Sequence, residues 1–121
     1  MIKVSQKCET LDEGIKFLMA GAKADYVAMS TSYGKKELQG YSKEQVDNWD
    51  NKTKVSEGKK YIKIVQGNGV FAFVMKEDSG RFKKGDVLKA AGYNKPALNS
   101  ARGNVLTGNY AIQWTGPLYL K

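Results

Sequence analysis

The sequence predicts an α+β domain in which an N-terminal helix packs on a curled, mainly antiparallel sheet. Three observations predict it: a capped segment with one apolar stripe near the N-terminus, a tight-turn signal between two apolar runs, and short strand-like runs punctuated by glycine and proline through the rest of the chain. A length of 121 residues suits one domain, residues 1–121, with a core that needs no metal or disulfide.

The helix begins at Thr10-Leu11-Asp12-Glu13, a capping-box pattern in which Thr10 and Glu13 satisfy orphan backbone N–H groups. Leu11, Ile15, Leu18, Met19 and Ala22 recur at helical spacing, and Gly21 reads as an end signal. Residues 25–31 look like a strand, followed by a loop over 33–36. Ser42 with Gln45 marks a second N-cap, for a short helix to about Asn51 whose apolar side is Val46 and Trp49. Residues 51–58, polar and charged, read as a connector. Residues 60–66 and 69–76 flank Gly67-Asn68-Gly69, a hairpin signal. Turns at Gly67-Asn68 and at Asn68-Gly69 both put Ile62, Ile64, Phe71, Phe73 and Met75 on one core face, with Tyr61, Lys63 and Val65 opposite. A polar turn over 77–86 leads to a third strand over 87–91, broken by Gly92. Pro96 opens a helical turn through Ala97, Leu98 and Ala101 to about Gly103. Residues 110–114 and 118–120 are final strands around Gly116-Pro117. Three strands, a short helix and two strands is also the order of a small OB-like barrel, the alternative to an open sheet.

Charge divides the chain. The formal net charge is +8, yet residues 1–50 carry 7 basic and 8 acidic side chains, whereas residues 51–121 carry 13 and 4. A near-neutral helix/strand part (1–50) thus precedes a basic, strand-rich part (59–121), and such a field attracts polyanions, nucleic acid above all. The simpler reading is that lysines confer solubility and blunt sheet edges. No apolar run is long enough to span a bilayer, and the first residues lack the apolar core of a signal peptide, so no membrane partner is expected.

Catalysis has little to work with. The chain has no histidine and one cysteine, Cys8, which removes the usual neutral-pH base, the usual zinc sets and any internal disulfide. Glu57-Gly58-Lys59 downstream of Asp47 and Asp50 has the residue types of an Asp…Glu-x-Lys nuclease set, but a solvated face is the simpler reading for both aspartates. Gly67-Asn68-Gly69 lacks the lysine and helix of a phosphate-binding loop. No catalytic residue, metal or cofactor is expected. Ala101-Arg102-Gly103-Asn104 could present a guanidinium beside backbone N–H groups; the competing reading is a helix C-cap.

The basic residues interleave with rings: Lys59, Lys60 and Lys63 around Tyr61; Arg81, Lys83 and Lys84 around Phe82; Lys89 and Lys95 flanking Tyr93. Cations that track a backbone beside rings on which bases stack make a sequence-tolerant nucleic-acid surface. With Arg102 these are the expected footprint. In the competing reading Phe82 and Tyr93 turn inward and the lysines alone are solvated. No motif for base-specific reading is present.

Phe71-Ala72-Phe73-Val74, Gly85-Asp86-Val87-Leu88-Lys89-Ala90-Ala91, Pro96-Ala97, Ala101-Arg102-Gly103-Asn104-Val105 and Gly116-Pro117-Leu118-Tyr119-Leu120 resemble, in that order, a pattern in small uncharacterised proteins of tailed bacteriophages. The resemblance covers about the last fifty residues and departs at Tyr93, where such proteins often have tryptophan. It implies expression in the cytoplasm of an infected bacterium and supplies no mechanism. The expected function is non-specific, non-catalytic binding of DNA or RNA; the alternative is a protein-interaction role, as a host-protein inhibitor or modulator or a minor virion component.

Overall fold

The computed structural model describes residues 2–5, 7–67, 69–98, 100–108, 110–113 and 116–117. It is an α+β arrangement: one long helix and a mostly antiparallel sheet that does not close into a barrel. The chain opens with β1 (Ile2–Val4), followed by α1 (Leu11–Ser30), α2 (Gly40–Asp47) and α3 (Trp49–Lys52). The strands β2 (Thr53–Glu57), β3 (Tyr61–Gln66), β4 (Gly69–Met75) and β5 (Val87–Leu88) form an antiparallel meander. β6 (Ala90–Gly92) and β7 (Lys95–Pro96) make a small hairpin, and β8 (Tyr110–Gln113) pairs with both β1 and β9 (Gly116–Pro117).

Thr10 caps α1 as expected, its hydroxyl accepting from Glu13 N at 3.2 Å. The helix does not stop at Gly21, and residues 25–31 are its last turns rather than a strand. Tyr26 extends the Leu18–Ala22 stripe by one more turn, which holds the segment helical against its strand-like composition. Gly21 serves close approach instead: a Cβ there would lie 2.8 Å from Val4 Cγ2 and 3.1 Å from Ile112 Cγ2, so α1 sits directly on β1 and β8. The helix ends where Ser32 and Tyr33 take positive φ, with Tyr33 N donating to Ala28 O.

α2 starts two residues before Ser42, with Gln39 at its N-cap and no side-chain capping bond. Trp49 is buried and Val46 packs against the core, as the sequence predicts. Residues 53–57 are not a connector but an edge strand, largely solvent-exposed, which accounts for their polarity.

The hairpin closes with Gln66 opposite Gly69, so Gly67-Asn68 is the connection; Asn68 itself lies outside the described residues. A bulge between Ile64 and Val65 then shifts the register, giving Ile64↔Ala72, Ile62↔Val74 and Tyr61↔Met75. One extra residue flips every later side chain of β4. The single core face expected of Ile62, Ile64, Phe71, Phe73 and Met75 is therefore split. Ile62, Ile64, Phe71, Ala72 and Val74 face the main core with Ile15, Leu18, Ala22 and Ile112. Phe73 and Met75 join Phe82 and Leu88 in a second core on the other face, flanked by Tyr61, Val70, Ala90 and Ala101.

The expected third strand breaks at Lys89 into β5 and β6. Among the described residues no helical turn follows Pro96: β7 pairs back on β6, and Ala97 N donates to Lys89 O at 2.7 Å. Residues 101–104 instead run beside β5, with Arg102 N donating to Val87 O, Val87 N to Gly103 O, and Asp86 bridging Asn104. The strand–helix–strand order of an OB-like barrel is thereby lost. Gly103 permits this rung, because a Cβ would lie 2.7 Å from Tyr110 Cγ at φ 152°. Of the expected last strands, β8 is found, whereas Gly116-Pro117, expected as the turn, pairs with β8 as β9; residues 114 and 118–120 lie outside the described residues.

Candidate nucleic-acid interface

The ladder determines where the basic side chains gather. Lys76 N donates to Lys60 O, Met75 N to Asp86 O, and Gly85 N to Met75 O. The β2–β3 turn carrying Lys59 and Lys60, the end of β4 and the loop carrying Arg81, Lys83 and Lys84 therefore meet at one end of the sheet. Lys59, Lys60, Arg81, Lys83 and Lys84 are all exposed. Lys76, outside the expected footprint, belongs to this rim and donates from Nζ to Gly58 O at 3.0 Å. Its pairing with Lys60 follows from the hairpin register, once the bulge is placed.

Two of the loop's carboxylates, Asp78 and Asp86, are engaged by backbone N–H groups, while Glu77 is exposed beside them. Asp78 Oδ1 accepts from Lys84 N at 2.7 Å, and Asp86 Oδ2 from Lys83 N at 2.9 Å. Asn104 locks the arrangement: its Nδ2 donates to Lys84 O and Asp86 Oδ1, both at 2.9 Å, while its Oδ1 accepts from Leu106 N and Thr107 N. The ion pairs Lys23–Asp50 and Lys43–Asp47 both lie within the near-neutral part. Lys59, Lys60, Lys83 and Lys84 take part in no ion pair among the described residues.

A second group lies over the Tyr61/Lys63 face. Lys63 Nζ donates to Asn94 Oδ1 at 3.0 Å and sits 4.0 Å from the centre of the Tyr93 ring. The β6–β7 hairpin thereby folds over the second core, with Lys95 exposed and Lys89 half-buried at its base. Arg81 links the two groups, its guanidinium donating to Leu98 O, two residues beyond β7.

The rings fare worse than the cations. Phe82 is only 9% exposed and belongs to the second core, with the Arg81 guanidinium 5.1 Å from its centre. Tyr61 is half-buried and edge-on to Phe73 at 6.1 Å. Tyr93 is exposed, but Lys63 occupies one of its faces. The stacking role expected of Phe82 is excluded by burial, and that of Tyr61 is reduced to an edge. Arg102 neither ends a helix nor caps one; it is half-buried in the rung beside β5, with Nε donating to Ser100 O at 3.3 Å.

Glu57 does not come together with Asp47 and Asp50. It ends β2, whereas Asp50 precedes the start of that strand and contacts Lys23, and Asp47 is bonded to Lys43. Among the described residues no three metal-ligating side chains cluster. Cys8 is half-buried. Burial and the nearby Glu13 carboxylate raise the thiol above its ordinary value, opposite to the direction that activates a nucleophile.

Compared with protein-family models, curated proteins and solved structures, the chain finds no match.

Proposed function

We propose that this protein binds nucleic acid non-specifically and without catalysis, through phosphate contacts along the basic rim. One observation carries the reading: Lys59, Lys60, Lys83 and Lys84 are exposed at one end of the sheet, and the nearby Asp78 and Asp86 are bonded to backbone N–H groups. Unneutralised ammonium groups on a fixed framework release counterions when they meet phosphates, and that term needs no base contacts. With Phe82 in the core and Tyr61 half-covered, affinity rests on charge rather than stacking. Duplexes should therefore bind at least as well as single strands of the same length. The resemblance to small tailed-phage proteins supports a setting inside an infected bacterium.

The test is a quadruple alanine variant of Lys59, Lys60, Lys83 and Lys84 in a binding assay across a salt series. The salt slope should fall by roughly one per lysine in contact, and all sequences should weaken alike. Unchanged affinity would remove the rim from the account.

A protein-interaction role is the second reading, favoured by the outer side of α1. Phe17 is exposed there, beside a shallow groove lined by Ala20, Lys23, Ala24, Val27, Ala28 and Tyr33. Surface helices ordinarily carry polar residues on that side. Stoichiometric co-purification with one host protein, abolished by Ala24→Arg, would favour this reading over the first. No helix among the described residues is long and apolar enough to cross a membrane.

A further inference from the structure

We propose that the cleft between α2, α3 and the β3–β4 turn is a nucleotide-binding site, with a base stacked on Tyr41 and its phosphate held by Lys52 and Lys54. The cleft has a volume of about 580 Å³, within the range of small-ligand sites. It opens beside Thr53, the first residue of β2, whereas the basic rim begins after Glu57, the last. About 13 Å of strand separates them, so this site goes beyond the rim and does not depend on it.

The lining matches a planar anion in three respects. Trp49 and Tyr26 form an apolar floor, buried and with ring centres 5.9 Å apart. Tyr41 stands on the α2 wall with 72% of its surface exposed, an aromatic face that nothing in the core occupies. Among the described residues no carboxylate lines the cleft, and two lysines do. Lys52 is held there by Gln45, one helical turn after Tyr41, whose Oε1 accepts from Lys52 Nζ at 3.1 Å.

The opposite wall is fixed by Gln66. In the amide orientation that satisfies both ends, its oxygen accepts from Trp49 Nε1 at 3.2 Å and from Thr53 Oγ1 at 2.9 Å, and its nitrogen donates to Lys52 O. Gln66 thus ties the floor together, whereas α2, which carries Tyr41, has no fully buried residue and meets the core through half-buried Val46. A purely apolar ligand would strip water from the two ammonium groups without replacing it, and a neutral sugar would leave them facing no charge. A base with a phosphate satisfies both halves of the lining, and the ring–base stack and the charge-assisted bonds to phosphate supply affinity.

The experiment titrates the full chain with AMP, GMP, CMP and UMP, their nucleosides and inorganic phosphate. Trp49 fluorescence is followed in a Trp114→Phe background; the Trp49 indole N–H resonance of the unaltered chain provides a second measurement should that variant fail to fold. Saturable quenching by the nucleotides is expected, weaker for nucleosides and absent for phosphate. Tyr41→Ala should weaken nucleotide binding about thirtyfold, the middle of the range for one base–ring stack, while Tyr41→Phe keeps it. Lys54→Ala should abolish the preference for nucleotide over nucleoside.

A 5′-phosphorylated trinucleotide identifies the source: tighter binding than AMP with the same Tyr41 dependence assigns the site to a strand end, and equal binding to a free nucleotide. The quadruple rim variant should bind AMP as the parent does, which separates failure of the rim from failure of the cleft. No saturable response to any nucleotide at millimolar concentration, or a response indifferent to Tyr41→Ala, would overturn the proposal.

Discussion

Replacing Asn104 with alanine removes four hydrogen bonds from one side chain. Two are part-buried, the donation to Asp86 Oδ1 at 2.9 Å and the acceptance from Leu106 N at 2.8 Å. Two are exposed, the donation to Lys84 O at 2.9 Å and the acceptance from Thr107 N at 3.2 Å. At about 1 kcal/mol for each part-buried bond and half that for each exposed one, Asn104→Ala should cost about 3 kcal/mol. For a chain of this size that is a fall of roughly 10 °C in Tm. Thermal and urea unfolding followed by circular dichroism would measure it, with an unchanged m value showing that only stability has moved. Asn104→Asp keeps the two acceptances but loses both donations and sets a second carboxylate beside Asp86, so it should be no more stable than the alanine variant. A Tm within about 2 °C of the parent for Asn104→Ala would refute the reasoning: backbone pairing alone would then hold the 85–88 and 102–105 segments together.

Three further outcomes are expected. Gly103→Ala should destabilise strongly, by more than about 2 kcal/mol, because its methyl group collides with the Tyr110 side chain; normal stability would mean that this rung is placed differently. Phe82→Ala should cost about 3 kcal/mol of stability and leave DNA affinity at low temperature unchanged. The reverse pattern in those two assays would restore Phe82 as a stacking group. Burial holds the Tyr110 phenol above the ordinary tyrosine value of 10, and its hydroxyl has no hydrogen-bond partner among the described residues. The associated stability is full below that value and is lost as pH rises through it toward the raised folded value, since there only the unfolded chain releases the proton. Tyr110→Phe should therefore be neutral or stabilising at pH 7 and flatten the alkaline loss, and an equally steep loss in the variant would contradict it.

What was legible in the sequence was local. Thr10 with Glu13 gave the start of α1, and Gly67-Asn68-Gly69 gave the hairpin, because each signal acts within a few residues. The errors arose where a distant partner decides the outcome. Gly21 resembles a helix end until Val4 and Ile112 are seen against it. The bulge opposite Ile64 and Val65 has no signature in the Phe71-Ala72-Phe73-Val74 run, yet it sends Phe73 and Met75 to a second core. Residues 96–103 have helical composition, but Lys89 and Val87 offer them backbone partners instead. For the interface, the lysines were legible because a charge seeks solvent wherever it falls. The availability of the rings was not, because burial of Phe82 depends on Phe73, Met75 and Leu88 lying on the same side of the sheet. The cleft beneath Tyr41 was missed as well, since Tyr26, Trp49 and Gln66 converge only in three dimensions.

The most direct test of the basic rim is fluorescence anisotropy of labelled duplex and single-stranded DNA and RNA with the unaltered protein, at a series of salt concentrations. The account expects micromolar or tighter binding to duplex, no tighter binding to single strands, and a log–log salt slope of about −3 to −4, one counterion for each of the four rim lysines. Absence of binding at low salt, or binding indifferent to salt, would contradict it and leave the lysines as a solubility feature or a docking face for protein.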